Sequence, residues 1–286
     1  HCNVSWPKNQ AIYNLNPSEI TSGVVSHLFH NRLFNLSSLK KLGDAMKQST
    51  SQTHECFLEL NNVAQRFSAK GGEIELFSGL NFTILQGKSY AITGPSGAGK
   101  SSLLMLMSGL AQPSLGQVNM VDGRMRQSVS KIRERIGFVF QQFHLLPELN
   151  ALNNVALPLK LRGDKRALDK AKQLLKRVGL ESRLKHFPSQ LSGGEQQRVA
   201  IARALVFEPS FIFADEPTGN LDLNSASEIA DILLQCCEEQ GAGLVMVTHS
   251  QALAAKAQYI YALKDGTCEL VESNKPAVMS EVANVG

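Results

Sequence analysis

A glycine-rich run that ends in lysine and serine has the composition of a phosphate-binding loop. It spans Gly94–Ser101 with the sequence GPSGAGKS and fits the pattern G-x-x-x-x-G-K-[ST]. Glycines let backbone N–H groups point at one anion, and a helix that follows adds the positive end of its dipole. The ammonium of Lys100 can reach the β and γ phosphates, and the Ser101 hydroxyl suits Mg²⁺, which prefers oxygen ligands. The run therefore predicts a site for a nucleoside triphosphate. Its residues are Gly94, Pro95, Ser96, Gly97, Ala98, Gly99, Lys100, Ser101 and Ser102.

Two adjacent acids, Asp215 and Glu216, follow the apolar run Phe211–Ala214. Such a run is typical of a buried strand, and acids at the carboxyl end of a strand in an open α/β sheet lie beside the ligand crevice. We expect Asp215 to hold Mg²⁺, directly or through water, and Glu216 to act as general base on an attacking water. The alternative is an exposed acidic turn, which the apolar strand and the phosphate loop both disfavour.

A third cluster, LSGGEQQR at Leu191–Arg198, combines a helix cap with two glycines. Ser192 and Glu195 fit the capping box S-x-x-E, so a well-capped helix alone would account for both. Each glycine in the first turn lowers helix propensity by ~1 kcal/mol relative to alanine, which a plain cap does not need. Bare backbone and a serine hydroxyl at a helix N-terminus instead suit a second phosphate contact.

The elements that must position these residues alternate between strands and helices. Leucines at helical spacing follow the phosphate loop, residues 141–205 are helical in pattern, and Ile229–Cys236 marks another helix. The predicted strands are Phe57–Leu60, Asn81–Leu85, Ser89–Thr93, Phe211–Ala214 and Leu244–Thr248. This order predicts a parallel sheet with helices on both faces.

Together, the runs GPSGAGKS, LSGGEQQRV and FADEP resemble those of the nucleotide-binding domain of ABC transporters, over roughly residues 55–270. The resemblance implies an α/β fold: a P-loop NTPase (RecA-like) core, a helical signature subdomain at about residues 141–205 and an N-terminal antiparallel β subdomain. It implies an ATPase that uses ATP and Mg²⁺ and powers a separate polytopic membrane permease. It also implies that the signature of one chain closes over ATP held by a second copy, or by a paralogue. The residues assigned to that contact are Ser192, Gly193, Gly194 and Glu195.

Four further residues receive roles from the resemblance. Gln141 matches the Q-loop glutamine, which senses Mg²⁺ and water and couples the helical subdomain to the membrane partner. His249 matches the switch histidine at the γ-phosphate, although a lone histidine at a strand end is more often structural. Asp222 matches the D-loop aspartate that reaches across the dimer, and Phe67 stands where an aromatic residue, usually tyrosine, stacks on adenine.

The resemblance therefore predicts both a catalytic and a metal-binding set. The catalytic residues would be Glu216, His249, Lys100 and Gln141. The metal ligands would be Ser101, Gln141 and Asp215. Three positions depart from the common pattern: Ser250 where aspartate is common, Glu195 where many members have glutamine, and Phe67. None removes a catalytic group, so we expect competent hydrolysis.

The runs ADEPTGNLD at Ala214–Asp222 and FVFQQFHLLP at Phe138–Pro147 resemble the lipoprotein-release and macrolide-export branch, the LolD, MacB and FtsE type, and most of all its YbbA-like members. The branch implies extraction or export of lipoproteins, lipids or macrolide-type compounds, from the cytoplasmic face of a bacterial inner membrane. The alternative is an ABC ATPase that regulates a cell-envelope or cell-division complex without transport. A DNA-repair ATPase would separate the motifs by a long coiled coil, and a translation-associated one would carry two cassettes. We therefore expect no nucleic-acid partner.

Composition limits the remaining possibilities. The chain has 286 residues, 43% hydrophobic and 19% charged, with a net charge of +4, which is typical of a globular protein and too small to indicate nucleic-acid binding. No apolar run approaches the ~18 residues of a membrane span. Five scattered cysteines, Cys2, Cys56, Cys236, Cys237 and Cys268, favour a reducing compartment.

The two ends of the chain lie outside the recognisable pattern. The first methionine is Met46, and residues 1–45 show no sustained periodicity. We expect these residues to be a poorly structured extension, or upstream sequence joined to a gene that starts at Met46. Residues 271–286 are expected to form a tail.

Overall fold

The computed structural model describes residues 56–69 and 72–273. The expected extension at residues 1–45 and the expected tail beyond Ser273 lie outside the described residues. The tail was predicted to begin at residue 271, but residues 271–273 belong to a strand that ends at Ser273, because this segment pairs with a neighbouring strand. In chain order the strands are β1 (Cys56–Ala69), β2 (Gly72–Leu85), β3 (Ser89–Thr93), β4 (Leu115–Asp122), β5 (Met125–Ser128), β6 (Ile136–Val139), β7 (Phe211–Asp215), β8 (Gly243–Val247), β9 (Tyr259–Lys264) and β10 (Thr267–Ser273). The helices are α1 (Lys100–Met107), α2 (Ala151–Leu161), α3 (Ala167–Arg177), α4 (Gly193–Leu205), α5 (Leu223–Gln240) and α6 (Gln251–Ala254).

Strands β1, β2, β4 and β5 form an antiparallel sheet in the order β2-β1-β4-β5. The predicted strands Phe57–Leu60 and Asn81–Leu85 are parts of the much longer β1 and β2, and the pairing of these two strands shifts register after Leu60. Leu58 and Leu60 alternate into the core, as the period of a half-buried strand requires. The expected antiparallel N-terminal subdomain is therefore present.

A second sheet has the order β10-β9-β3-β8-β7-β6. Strand β3 pairs in parallel with β8 and β9, and β7 pairs in parallel with β6 and β8, whereas the edge strand β10 is antiparallel to β9. Because the central strands run in one direction, their carboxyl ends meet at one edge of the sheet. The predicted parallel sheet is confirmed.

The parallel sheet is covered on both faces, which explains its continuously apolar strands. Phe211 and Phe213 face a core that includes residues of α1 and β1, whereas Ile212 and Ala214 face the core shared by α2, α3, α4 and α5. Alternate residues of one strand thus bury against two different layers.

The region predicted to be helical, residues 141–205, contains α2, α3 and α4 joined by loops and short 3₁₀ turns. The fully buried Asn154 on α2 donates from Nδ2 to the carbonyl oxygens of Leu146 (3.0 Å) and Leu149 (2.8 Å). Its Oδ1 accepts from the Leu146 N–H at 2.8 Å. One side chain therefore satisfies the backbone of the loop that connects β6 to this subdomain.

Two further observations concern the described part of the chain. None of the helices in it is both long enough and apolar enough to cross a membrane. The four cysteines in it, Cys56, Cys236, Cys237 and Cys268, are free thiols.

Candidate active site

The glycine-rich loop connects β3 to α1, as the sequence predicts. Gly94 has φ +146°, and a Cβ atom there would lie 2.2 Å from the carbonyl oxygen of Leu263 on β9. Gly97 and Gly99 also have positive φ, and Gly99 is the N-cap residue of α1. Left-handed backbone and close packing on the sheet both require glycine here, so the loop can turn its N–H groups inward.

Lys100 lies under this loop and is almost fully buried. Its Nζ donates to the carbonyl oxygens of Gly94 (3.0 Å) and Pro95 (2.8 Å). Burial lowers the pKa of Lys100, an effect opposed by the nearby carboxylates of Glu216 and Asp215. Carbonyl oxygens are neutral partners, so a phosphate group would be the stronger acceptor for this ammonium.

Ser101 and Asp215 bring two oxygen donors together from α1 and β7. Ser101 Oγ donates to Asp215 Oδ1 at 3.0 Å. Burial raises the pKa of Asp215, against the lowering effects of this hydrogen bond and of Lys100. In the described part of the chain no cluster of three or more histidine, cysteine, aspartate or glutamate residues could hold a metal ion. A hydroxyl beside one carboxylate fits Mg²⁺, which usually takes one or two protein oxygens and completes its shell with water and phosphate.

Glu216 and His249 face each other across the carboxyl ends of β7 and β8. His249 Nε2 lies 3.3 Å from Glu216 Oε1, and the His249 backbone N–H donates to Glu216 Oε2 at 3.3 Å. Glu216 Oε1 is buried and accepts no hydrogen bond of good geometry from the described residues. A buried carboxylate oxygen that lacks a donor is a suitable acceptor for a water molecule.

The backbone around Glu216 holds this side chain in place. Glu216 has φ +45°, an uncommon left-handed value for a residue with a side chain, and its N–H donates to the Val247 carbonyl oxygen at 3.0 Å. The Gly219 N–H donates back to the Glu216 carbonyl oxygen at 3.0 Å. The chain therefore turns sharply directly after β7, which is the arrangement found at many strained functional positions.

Gln141 packs against the same turn. The Asn220 side chain donates to the Gln141 carbonyl oxygen at 3.0 Å, and a Cβ atom on Gly219 would lie 3.0 Å from Gln141 Nε2. The structure thus brings Gln141 next to the Glu216 turn. Gln141 and Glu216 lie far apart along the chain. Only the position of Gln141 in the series of family motifs therefore suggested that the two lie close together.

The LSGGE run forms the capped start of α4. Ser192 Oγ accepts from the Glu195 N–H (3.3 Å), and Glu195 Oε2 accepts from the Ser192 N–H (2.8 Å), which confirms the predicted capping box. A Cβ atom on Gly193 or Gly194 would meet nothing closer than 3.5 Å. Packing within the chain therefore does not require glycine at these two positions.

Two residues near this run were missed by sequence reasoning. The fully buried Gln197 donates from Nε2 to the Pro217 carbonyl oxygen at 2.7 Å, which ties α4 to the turn after Glu216. Arg183 donates from Nε to Glu195 Oε1 at 2.8 Å. Gln197 lies within the LSGGEQQR run and could have been considered, whereas nothing in the sequence pairs Arg183 with Glu195.

The LSGGE run packs near the turn that holds Asp222: a Cβ atom on Gly193 would lie 3.5 Å from the Leu221 side chain, and one on Gly194 would lie 3.8 Å from that of Ser225. Within the described residues no hydrogen bond or ion pair joins Ser192, Gly193 or Gly194 to the phosphate loop. Asp222 is exposed, and its Oδ1 accepts from the Ser225 N–H at 3.0 Å, which caps α5. The hydrogen bonds of the described residues therefore give the LSGGE run no role in holding the phosphate loop of its own chain.

Phe67 and Ser250 are two of the three positions that depart from the common pattern. Phe67 is 46% exposed and pairs across strands with Ile74, which lines a groove together with Pro95 and Gly97. Ser250 Oγ accepts from the Leu253 N–H at 3.3 Å and caps α6. Serine and aspartate are both strong N-cap residues, so serine here keeps the cap.

Comparison with known proteins identifies the family. A family model described as ABC transporter matches residues 77–219. The lipoprotein-releasing system ATP-binding protein LolD of Shewanella frigidimarina is 41% identical over 239 residues, which are 81% of this chain and 100% of that protein. The chain belongs to the ABC transporter family. The ABC transporter ATP-binding protein YbbA of Escherichia coli K12 is 42% identical to this chain over 219 residues, which are 74% of this chain and 96% of that protein.

Solved structures agree with this assignment. The ATP-binding cassette MJ0796, in a dimeric post-hydrolysis state bound to ADP and Pi, superposes with a TM-score of 0.66 at 38% identity. The match covers 76% of this chain and 99% of that one. The chain is thus the ATPase, nucleotide-binding subunit of an ABC transporter, with the P-loop NTPase fold that its motifs predicted.

Replacement of Lys100 should weaken ATP binding by the cassette. We expect Lys100→Ala to lower ATP affinity by about tenfold to a hundredfold, because charge-assisted hydrogen bonds contribute about 1.5–3 kcal/mol each. Calorimetric titration of the isolated chain with ATP measures this change. Lys172→Ala, at an exposed lysine of α3, is the control and should bind normally. A Lys100→Ala protein that binds ATP within about twofold of the unsubstituted protein would contradict this role.

Proposed function

We propose that this chain works as a homodimer that powers a separate membrane permease, with each ATP held between two copies. Lys100 and the phosphate loop of one copy would bind the phosphates, and Ser192 and Gly194 of the other copy would close over the γ-phosphate. The observation that carries this proposal is the open, glycine-bearing start of α4, which the chain's own packing does not explain and which makes no bond to its own phosphate loop. A solved structure of the MJ0796 cassette, 38% identical to this chain, is dimeric, which supports a dimer as the working form.

The geometry around Glu216 supports the hydrolytic step that we propose. The buried oxygen Oε1 would accept a hydrogen bond from the attacking water and take its proton, as a general base does. A new bond forms between the water oxygen and the γ-phosphorus, and the bond from that phosphorus to the β–γ bridging oxygen breaks, which releases ADP and phosphate. His249, 3.3 Å from Glu216 Oε1, would donate to the γ-phosphate and keep the water aligned.

Mg²⁺ is the cofactor that the site fits. Ser101 and Asp215, 3.0 Å apart, would hold it, and Gln141 would join them beside the Glu216 turn. When bound, Mg²⁺ would offset the negative charge of the β and γ phosphates. Lys100 and the loop N–H groups supply the remaining positive potential from the chain itself.

The transported class is inferred from the relatives. LolD, named for a lipoprotein-releasing system, is 41% identical over its whole length, and YbbA is 42% identical over 96% of its length. This likeness supports extraction or export of lipoproteins, lipids or macrolide-type compounds at the cytoplasmic face of a bacterial inner membrane. The chain would reach that membrane by docking on its permease.

Replacement of the general base should trap the dimer. We expect Glu216→Gln to lower ATP turnover by about 10²–10⁴-fold, because proton transfer is lost while the amide keeps a similar shape. ATP binding should persist, so the variant should elute as a dimer with ATP and as a monomer without it. Size-exclusion chromatography with light scattering measures the mass. Near-normal turnover by Glu216→Gln would show that another residue is the base.

Mixing two inactive variants tests whether the site is shared. Gly194→Asp adds an anion at the start of α4, where there is room and where the helix dipole favours acids, so the fold should tolerate it while phosphate is repelled. Lys100→Ala instead disables the phosphate loop, which is the half of each ATP site that the other copy would supply. Each variant alone should be inactive, whereas a mixed dimer contains one site with both halves intact.

Turnover that appears only on mixing would support the shared site, and it should rise with the fraction of mixed dimers. A mixture that remains as inactive as its parts would contradict a site built from two copies. A mixture of Lys100→Ala with Glu216→Gln is the matched control. Both substitutions lie in the same half-site, so the mixed dimer has no intact site and should stay inactive.

Co-purification tests the transport role. We expect the chain, tagged and expressed in its own cell, to retain a polytopic membrane protein with a stoichiometry of two chains per permease unit. Mass spectrometry of the detergent-extracted complex identifies the partner. Retention of a cell-division or envelope assembly that lacks a transport pathway would favour the regulatory alternative instead.

A further inference from the structure

The carboxylate of Glu195 is fully engaged at the start of α4. Its Oε2 accepts from the Ser192 N–H at 2.8 Å, and its Oε1 accepts from Arg183 Nε, also at 2.8 Å. Arg183 ends the 3₁₀ turn Glu181–Arg183, which precedes α4 along the chain. Arg183 and Glu195 therefore meet at the helix end that, in the proposed function, receives ATP from the second copy.

An acid at this position creates an electrostatic problem for that function. The helix N-terminus carries partial positive charge, but a carboxylate in the first turn offsets it and would repel an approaching γ-phosphate. The Ser192 N–H and then the Arg183 guanidinium hold the pKa of Glu195 below its ordinary value. The side chain is therefore ionised at neutral pH, and the guanidinium of Arg183, 2.8 Å from Glu195 Oε1, is the cation that contacts it.

The exposure of the pair argues against a role limited to fold stability. The side chain of Arg183 is 42% exposed and that of Glu195 is 22% exposed. Ion pairs this accessible typically contribute little to the free energy of unfolding, because water already solvates both charges. A cation fixed beside the carboxylate nevertheless changes the local potential at the helix end.

We propose that Arg183 is a positioning residue of the ATP site, which holds Glu195 against the Ser192 N–H and cancels its charge so that the start of α4 can receive a phosphate from the second copy. This inference rests on the proposed shared site. Arg183 need not touch the nucleotide, since it acts through Glu195 and Ser192.

The proposal predicts that Arg183 matters only while residue 195 is charged. Glutamine at that position completes the capping box as well as glutamate does but carries no charge. The cost of Arg183→Met should therefore be about tenfold in ATP turnover when Glu195 is present. The same substitution should cost less than about twofold when it is made together with Glu195→Gln.

The experiment is this double-mutant cycle, measured as steady-state ATP turnover and as ATP-dependent dimer formation. Rescue of Arg183→Met by Glu195→Gln supports the proposal when the thermal unfolding midpoint stays unchanged across the cycle, because a pair that only stabilises the fold would show its coupling in unfolding. Equal losses in the two backgrounds would overturn it. Arg177→Met removes an arginine that pairs with Glu239 on α5 and should change turnover by less than about twofold.

Two further measurements separate misfolding and failure of the shared site from failure of this inference. Arg183→Lys keeps the positive charge, so it should retain most of the turnover even if Arg183→Met folds poorly; a large loss would contradict charge compensation. Dimer formation by Glu216→Gln tests the shared site by itself. If that variant dimerises with ATP while the cycle shows no coupling, the inference about Arg183 is wrong and the proposed function stands.

Discussion

The structure depends on the parallel alignment of β3, β7 and β8. Ile92 and Asp215 are both in register with Val247, so the three strands end at one edge of the sheet. At this edge the phosphate loop follows β3, Asp215 is the last residue of β7 and Glu216 comes directly after it, and His249 follows β8. Residues far apart in the sequence thus converge without any long-range motif to link them. Burial of both faces of the sheet fixes the register of these strands. A one-residue slip in β7 would move Phe213 into the core that holds Ala214, and Ala214 into the core that holds Phe213.

In the proposed dimer, each copy supplies the hydrolytic half of one site and the α4 half of the other. Lys100 lies near the carboxylates of Asp215 and Glu216, and Glu216 contacts His249, whereas in the described part of the chain the capped start of α4 makes no hydrogen bond or ion pair to the phosphate loop. In the proposed dimer this division makes turnover dependent on association, because neither copy can enclose the γ-phosphate alone. The proposed role of the Arg183–Glu195 pair belongs to the same dimer. Arg183 would cancel the negative charge of Glu195, so that the start of α4 could still receive a phosphate.

Much of the site could be predicted from the sequence because its chemistry depends on short, contiguous runs. The phosphate loop, the acid pair and the capping box each need only a few adjacent residues and a strand or helix on one side. Strands β4, β5, β6, β9 and β10 were not predicted, since their stability comes from cross-strand partners rather than from a local pattern. The hydrogen bonds of Lys100 to its own loop, of Gln197 to Pro217 and of Arg183 to Glu195 likewise arise from tertiary packing, which no spacing rule encodes.

The most direct test of the shared site is a crystal structure of the Glu216→Gln variant with Mg²⁺ and ATP. We predict a dimer in which each γ-phosphate lies within about 3.2 Å of Lys100 Nζ from one copy and of Ser192 Oγ and the Gly194 N–H from the other. A monomeric complex, or a dimer in which one copy supplies both Lys100 and Ser192 to the same nucleotide, would contradict this account.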